Sequence, residues 1–199
     1  QYNEKNSGEN FYWEYEVAIK KEESKNGWLL GANGSIYAVR RKAFVTLPED
    51  SISDHLEPIM VYSNGLDVIY EPEAIAIEDV PDNVLHRKRR IILRSLVTMK
   101  YVLSLLNPFK KRSVFIPYVS HKLIRWFLPF FLMIIFFTTC LLMNNTNSYS
   151  YFFTVQIIFY LFGWLFHPVR YFIQVNLASL LAVIDWLTGR RQNTWDVIR

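Results

Sequence analysis

The stretch GWLLGANGSIYAVRR, residues 27–41, places glycines and an asparagine directly before an alternating apolar run that ends in paired arginines. SIYAVRR alternates as a β-strand does, with successive side chains on opposite faces, and this reading sets the fold class of the first half. Upstream, ten polar residues read as a loop, and FYWEYEVAIKKEESKNG reads as a helix with Phe11, Tyr15, Ala18 and Ile19 on one face and Gly27 as its cap. Downstream, LPEDS breaks the chain before a short helix, DHLEPIMVYS, which Asn64 and Gly65 end; DVIYEPEAIAIED follows as two extended segments around Pro72. The order helix, strand, helix, strand, helix predicts an α/β domain. In GANG, Gly31 and Gly34 let the main chain turn tightly or approach a ligand closely. The loop is neither a P-loop nor a dinucleotide fingerprint, because the Lys-Ser pair and the third glycine are missing at the required spacing. Strand alternation puts Arg40 and Arg41 on opposite faces, so at most one of them turns toward the loop.

The chain of 199 residues is 51% hydrophobic with a formal net charge of +4. Residues 1–122 hold 33 of its 40 charges, which divides it into a polar domain and a membrane domain. From Trp126 to Met143, WFLPFFLMIIFFTTCLLM carries no charge over 18 residues, enough at ~1.5 Å per residue to cross most of a ~30 Å hydrocarbon core. A second uncharged run, Tyr151 to Phe166, would return the chain to its starting side, and HPVR makes a tight turn. The third run, Tyr171 to Leu187, contains Asp185, whose insertion would cost about 2.5 to 3.5 kcal/mol. Spanning, lying in the interface and packing in a bundle all stay open for it. Residues 86–125 carry eleven Lys and Arg and no acid, which by the positive-inside rule places the polar half in the cytoplasm, at the plasma membrane. Between these charges, Ile91, Ile92, Leu93, Leu96, Val97, Val102 and Leu103 recur at helical spacing, with Asn107 and Pro108 as a stop. This is a basic amphipathic helix for an anionic leaflet, or else a solvated basic face on an ordinary helix.

The expected division is therefore 1–85 for the polar domain, 86–122 for the basic helix and linker, and 123–199 for the membrane region. The membrane helices are expected at about 126–143 and 151–166, with 171–187 as the third candidate. Cys140 is the one cysteine and lies in an apolar run, which excludes a disulfide within the chain. The chain begins with Gln1, and no signal peptide precedes the polar half, so it reads as the C-terminal part of a longer protein.

Asp54 is the foremost candidate for catalysis, because it follows a loop and opens a helix, where a carboxylate projects from the domain edge. Ser51-x-x-Asp54 equally fits a helix-capping box. His55 and Glu57 would form a metal cluster with Asp54 only if they faced inward, and adjacent polar residues at a helix start usually face solvent, so no metal site is assigned. His86 to Arg90, HRKRR, has the planar guanidinium forks that grip phosphate oxygens or lipid headgroups.

In order and spacing, several segments resemble the C-terminal part of membrane-bound family 2 glycosyltransferases, a group that includes hyaluronan, chitin, cellulose and exopolysaccharide synthases. They are GANGSIYAVRR, SDHLEPIMVYSNGLDVIYEPEAIAIED, RKRRI in the place of a Q-x-x-R-W segment, SHKLIRWFLP, and the end from Phe166 with its G-then-T-W signature. The resemblance implies the C-terminal half of a GT-A domain followed by transmembrane helices. It implies an inverting enzyme that moves a sugar from a nucleotide-diphosphate sugar to a saccharide or lipid-linked acceptor in cell-surface or exopolysaccharide synthesis. Asp54 then stands at the general-base position. Gly31, Ala32, Asn33 and Gly34 line the acceptor and donor sugar, and Arg87 and Arg90 lie near the donor diphosphate or the acceptor path. The bilayer is an expected partner and nucleic acid is not.

Three departures bear on what the resemblance implies. Ser53 stands where the family often has an acid, and Arg87 and Ile91 replace the Gln and Trp associated with holding a growing polymer, so single transfer and processive synthesis both stay open. The D-x-D motif that would bind Mg²⁺ or Mn²⁺ and the donor diphosphate has no counterpart in the sequence. It is expected upstream of Gln1, or the chain is a remnant acting as a membrane adaptor for anionic lipid or a partner protein.

Overall fold

The structure, a computed structural model, describes residues 7–76, 83–106, 109 and 112–190. The Asn107–Pro108 stop, the acidic end of the YEPEA segment at residues 77–79 and the terminal segment from residue 191 lie outside the described residues. The fold is about 69% helical, with no strand among the described residues, so the expected α/β domain gives way to an all-helical fold. Its helices are α1 (Ser7–Lys25), α2 (Ser53–Ser63), α3 (Val84–Val102), α4 (Arg112–Tyr118), α5 (Ile124–Leu142), α6 (Asn147–Phe162) and α7 (His167–Leu187). Helix α1 begins at Ser7, inside the stretch read as a loop.

The strand reading fails for a definite reason. A strand exists only where a second backbone supplies a hydrogen-bonding ladder. Among the described residues the 27–41 stretch makes one isolated bridge, Asn33 to Ile36, and then turns as Ala43 N donates to Arg40 O at 2.7 Å. Arg40 and Arg41 are both exposed at that turn rather than divided between two faces. Residues 66–76 also form no ladder; Tyr70 N donates instead to Ser24 Oγ at 2.8 Å. The apolar alternation is present, but Ile36, Tyr37, Ile69 and Ile75 are exposed, since no sheet covers them.

The helix ends follow the sequence closely. Gly27 has φ +65°, Trp28 N donates to Glu23 O at 2.8 Å, and Gly27 N donates to Ser24 O at 3.2 Å, the paired bonds of a left-handed helix cap. Gly65, with φ +82°, closes α2 in the same way through Leu66 N to Val61 O and Gly65 N to Tyr62 O.

The core forms where α3 and α7 lie against each other and receive α2, α4 and the start of α5. Leu93, Leu96 and Val102 of α3, Ala182 and Val183 of α7, Leu56 and Ile59 of α2, Tyr118 of α4 and Trp126 of α5 are buried in it. Each large apolar side chain of this set contributes about 1.5–3 kcal/mol on leaving water. Ile92, Leu93, Leu96 and Val102 of the apolar stripe of α3 are thus covered by protein, while Ile91 and, just past the helix, Leu103 are exposed. This packing also engages the third apolar run. Asp185 of α7 is buried beside α3, where Arg89 donates to its Oδ2 through Nε and NH2, both at 2.6 Å. Ser179 Oγ ties the same helix to Trp126 O at 2.6 Å. Helix α7 packs in the bundle by its Asp185 end, and the charge is compensated.

One continuous helix, Val114–Leu142, is 29 residues long with a mean hydropathy of 1.9, and only 17% of its most apolar window is buried. At ~1.5 Å per residue it is about 43 Å long, more than a ~30 Å hydrocarbon core. Asn147–Leu165 and His167–Leu187, bent by 107° at their junction, pass the same test as a pair. One or two helices are therefore long and apolar enough to cross a membrane. Between α5, α6 and α7 runs an apolar groove of about 670 Å³ with no charged residue in its lining.

Helix α1 meets this long helix by a polar face, not by Tyr15 and Ala18, which are exposed. Arg125 NH1 donates to Tyr12 Oη at 2.9 Å and to Glu16 Oε1 at 2.5 Å, and His121 Nδ1 pairs with Glu23. Tyr12, Glu16, Lys20 and Glu23 are spaced so that they fall along one side of α1.

Replacing Arg89 with Met leaves Asp185 as an uncompensated buried charge. The expected loss of stability is about 2–4 kcal/mol, below the full cost of breaking a buried pair because Arg89 is partly solvated. Denaturation in detergent checks this, and Arg89→Met combined with Asp185→Leu should recover most of the loss. An unchanged midpoint in the single variant would mean that the pair does not hold α3 to α7.

Candidate active site

The candidate site is assembled by a proline. Pro58 lies inside α2, four residues after Asp54, and has no N–H to close the helical hydrogen bond to Asp54 O. That carbonyl accepts instead from Ala32 N at 2.9 Å, which brings the GANG loop down onto the first turn of α2. Leu29 and Leu30, buried just before the loop, anchor its other end. The result is the closest approach in the site: a Cβ placed on Gly34 would lie 2.9 Å from Asp54 Oδ2, and one on Gly31 would lie 3.4 Å from Lys122 Nζ. Gly34 thus leaves room for the carboxylate, and the Lys122 ammonium lies at contact distance under Gly31 of the same loop. Ala32 contributes its backbone. Asn33 serves the turn, its Oδ1 receiving a long 3.5 Å contact from Ser35 N.

The start of α2 is fixed from α3. Ile52 N donates to Thr98 Oγ1 at 3.0 Å, and Thr98 Oγ1 donates to Arg94 O at 2.9 Å. Asp50 receives Lys100 Nζ and Tyr101 Oη, each at 2.6 Å, and these partners hold its carboxyl below the usual carboxylate range. Ser51 does not cap the helix; its hydroxyl donates to Pro48 O at 2.7 Å, and the N-cap position, Ile52, has no side-chain bond to give. The capping box is not formed, which leaves the Asp54 side chain at the positive end of a helix without that duty.

Asp54 is half-buried, and burial raises its pKa, while the ammonium of Lys122, its own backbone N–H, Lys20 of α1 and Arg94 of α3 pull it back. Arg94 shares a stripe of α3 with Arg87, Arg90 and Thr98, at spacings of seven, four and four residues. Arg90 and Arg87 therefore lie about one and two turns beyond Arg94, leading away from Asp54. The loop glycines and Asp54 are brought together, and the arginine nearest to them in effect is Arg94 rather than either one singled out from the sequence.

Beneath Asp54 the side chains of α2 turn inward, against the expectation that they face solvent. His55 is buried, stacked on Tyr118 at 5.7 Å between ring centroids and edge-on to Trp126 at 5.8 Å. Neither ring nitrogen has a hydrogen-bond partner among the described residues, and burial drives its pKa down to about 2, so the ring is neutral. Glu57, also buried, accepts from Tyr37 Oη at 3.0 Å. Burial raises the pKa of Tyr37, which Ser53 lowers and Glu57 raises in turn. Among the described residues no group of three His, Cys, Asp or Glu side chains could hold a metal ion.

Lys122, Lys20, Arg94 and Pro58 were not among the residues read from the sequence as site members. The signals were a proline at the i+4 position of Asp54 and a lysine at the edge of the apolar run. Lys122 is further set by a π-helical stretch, Val119–Leu123, that joins α4 to α5 and widens the helix at this point. Comparison of the chain with known protein families, with curated proteins and with solved structures finds no match.

A neutral buried histidine makes stability depend on pH. Unfolded, the ring titrates near 6.5; folded, it refuses the proton down to about 2. Its contribution is present above pH ~6.5 and is lost as pH falls below that value, about 2 kcal/mol between pH 7 and 5. His55→Phe should flatten this acid slope by one proton in denaturation curves at several pH values. An unaltered slope would show that His55 is solvated.

Proposed function

We propose that the chain carries the acceptor-activating part of a membrane-bound inverting glycosyltransferase of family 2 character, working at the cytoplasmic face of the plasma membrane in a multi-pass setting. The donor is a nucleotide-diphosphate sugar, and the acceptor is a saccharide or lipid-linked hydroxyl for cell-surface or exopolysaccharide synthesis. The observation that carries the reading is the contact between Gly34 and the Asp54 carboxylate, where a Cβ would come within 2.9 Å of Oδ2. Gly34 lets the loop lie against this carboxylate without displacing it, and outside a capping box the carboxylate keeps a lone pair with which to accept the proton of a hydroxyl.

In this reading Asp54 removes the acceptor proton as the acceptor oxygen attacks the anomeric carbon from the face opposite the leaving group. The new C–O bond forms while the bond to the diphosphate breaks, with inversion, and the proton ends on Asp54. A carboxylate raised by burial is a better base than a solvated one, and Lys122, Lys20 and Arg94 keep it from becoming too readily protonated. Arg94, Arg90 and Arg87 form a graded cationic line along α3 that suits the negative charge released with the nucleotide.

The residues around Asp54 do not fit a Mg²⁺ or Mn²⁺ ion, because the charges acting on it are cations and no ligand cluster surrounds it among the described residues. The sequence also holds no D-x-D motif. The divalent ion and the nucleotide that the family resemblance implies would be held by other ligands.

Asp54→Asn in membranes of the full-length protein, supplied with a panel of labelled nucleotide sugars, should lower transfer about 10²- to 10⁴-fold while membrane insertion and thermal stability are retained. Transfer at the wild-type rate would remove Asp54 from the role of base. Absence of transfer from every donor by the wild-type protein would favour the adaptor reading.

A further inference from the structure

We propose that Lys122 is a positioning residue of this site, its ammonium and the Asp54 carboxylate working as one pair beneath the two glycines of the 31–34 loop. The proposal rests on the reading of Asp54 as the base and adds how that base is held ready.

The geometry of the long helix carries the argument. Its neighbouring basic residues are all engaged with α1: His121 pairs with Glu23, and Arg125 binds Glu16 and Tyr12. Lys122 has no hydrogen-bond or ion-pair partner among the described residues, although an extended lysine at this edge could reach solvent or lipid headgroups. It lies instead under Gly31, with Nζ 3.4 Å from where a Cβ would stand, while the carboxylate lies under Gly34 of the same loop. The π-helical stretch Val119–Leu123 shifts the register of the helix at this residue. A structural lysine would be expected to take a salt bridge.

Separation from Asp54 has a chemical use. A lysine in direct contact would donate a hydrogen bond to the carboxylate and occupy the lone pair that must receive the acceptor proton. Held apart across a shared space, it favours the anion through Coulomb attraction and leaves that lone pair open. Burial raises the Asp54 carboxyl, and Lys122 is the largest of the charges opposing the rise.

The other groups facing the pair are Lys20 and Glu23 from α1, Arg94 from α3, Tyr37 from the loop side and Arg125 from α5. His55 is neutral by burial, and His121 is engaged with Glu23.

The test compares Lys122→Met, which keeps length and apolar bulk, with Lys122→Arg, which keeps the charge, in the full-length protein in its membrane. Two quantities are read. The first is the pH profile of transfer. The second is the carboxyl stretch of Asp54 in infrared pH-difference spectra, with Asp54→Asn as the blank. In Lys122→Met the acid limb of kcat/KM and the carboxyl titration should both move up by about 1 pH unit, with Lys122→Arg returning most of the shift and thermal stability unchanged.

An acid limb and carboxyl titration identical to wild type in Lys122→Met would overturn the proposal. So would equal loss of activity in both variants with no shift, the mark of a structural lysine. The infrared titration does not need turnover. A shift there without transfer from any donor leaves the pair standing and sinks the transferase reading. Transfer with no shift does the reverse.

Discussion

The candidate site hangs on one missing hydrogen bond. Because Pro58 cannot donate to Asp54 O, that carbonyl is left open in the first turn of α2, and Ala32 N takes it at 2.9 Å. A carbonyl left unpaired inside a protein costs about 1–3 kcal/mol, so the defect in the helix is a site the loop is drawn to fill. Once the loop is bound there, Gly31 and Gly34 must lie over the side chains that emerge beside it. Only residues without a Cβ fit over the Asp54 carboxylate without displacing it.

Three helices then determine the charge of the space under the loop. Helix α1 delivers Lys20, α3 delivers Arg94, and the π-helical stretch within the long apolar helix delivers Lys122. None of these could be placed without the buried seam of α3 and α7, which fixes α3 through Leu93, Leu96 and the Arg89–Asp185 pair. The site is therefore tied to the helix that is long and apolar enough to cross a membrane. Lys122 lies within that continuous helix, four residues before the apolar run that starts at Trp126. A reaction at this point would deliver its product close to the bilayer surface.

Much of this could be read from residue order, and the remainder could not. Gly27 and Gly65 marked true helix ends, since positive φ is a local demand. The charge-free run from Trp126 marked the apolar part of the long helix, because an uncharged run of that length is long enough, as a helix, to cross most of a hydrocarbon core. The closeness of GANG to Asp54 was suggested only by a family likeness, and the fold brings those residues together through a bond the sequence hints at only in Pro58. The strand at residues 35–41 misled because alternation reports a potential to pair, while a ladder requires a neighbour. The inward face of α1 was misjudged for a related reason: its partner helix presents Arg125 and His121, so the polar stripe turned inward and Tyr15 did not.

The most direct test of this arrangement is native-state hydrogen exchange at the Ala32 amide, measured against the amides in the middle of α2. If the open carbonyl of Asp54 anchors the loop, the Ala32 amide exchanges as slowly as those of α2 and opens only when that helix opens. Exchange at the rate of an unprotected loop amide would mean that the GANG loop is not fixed to Asp54, and the site built on their contact would not exist.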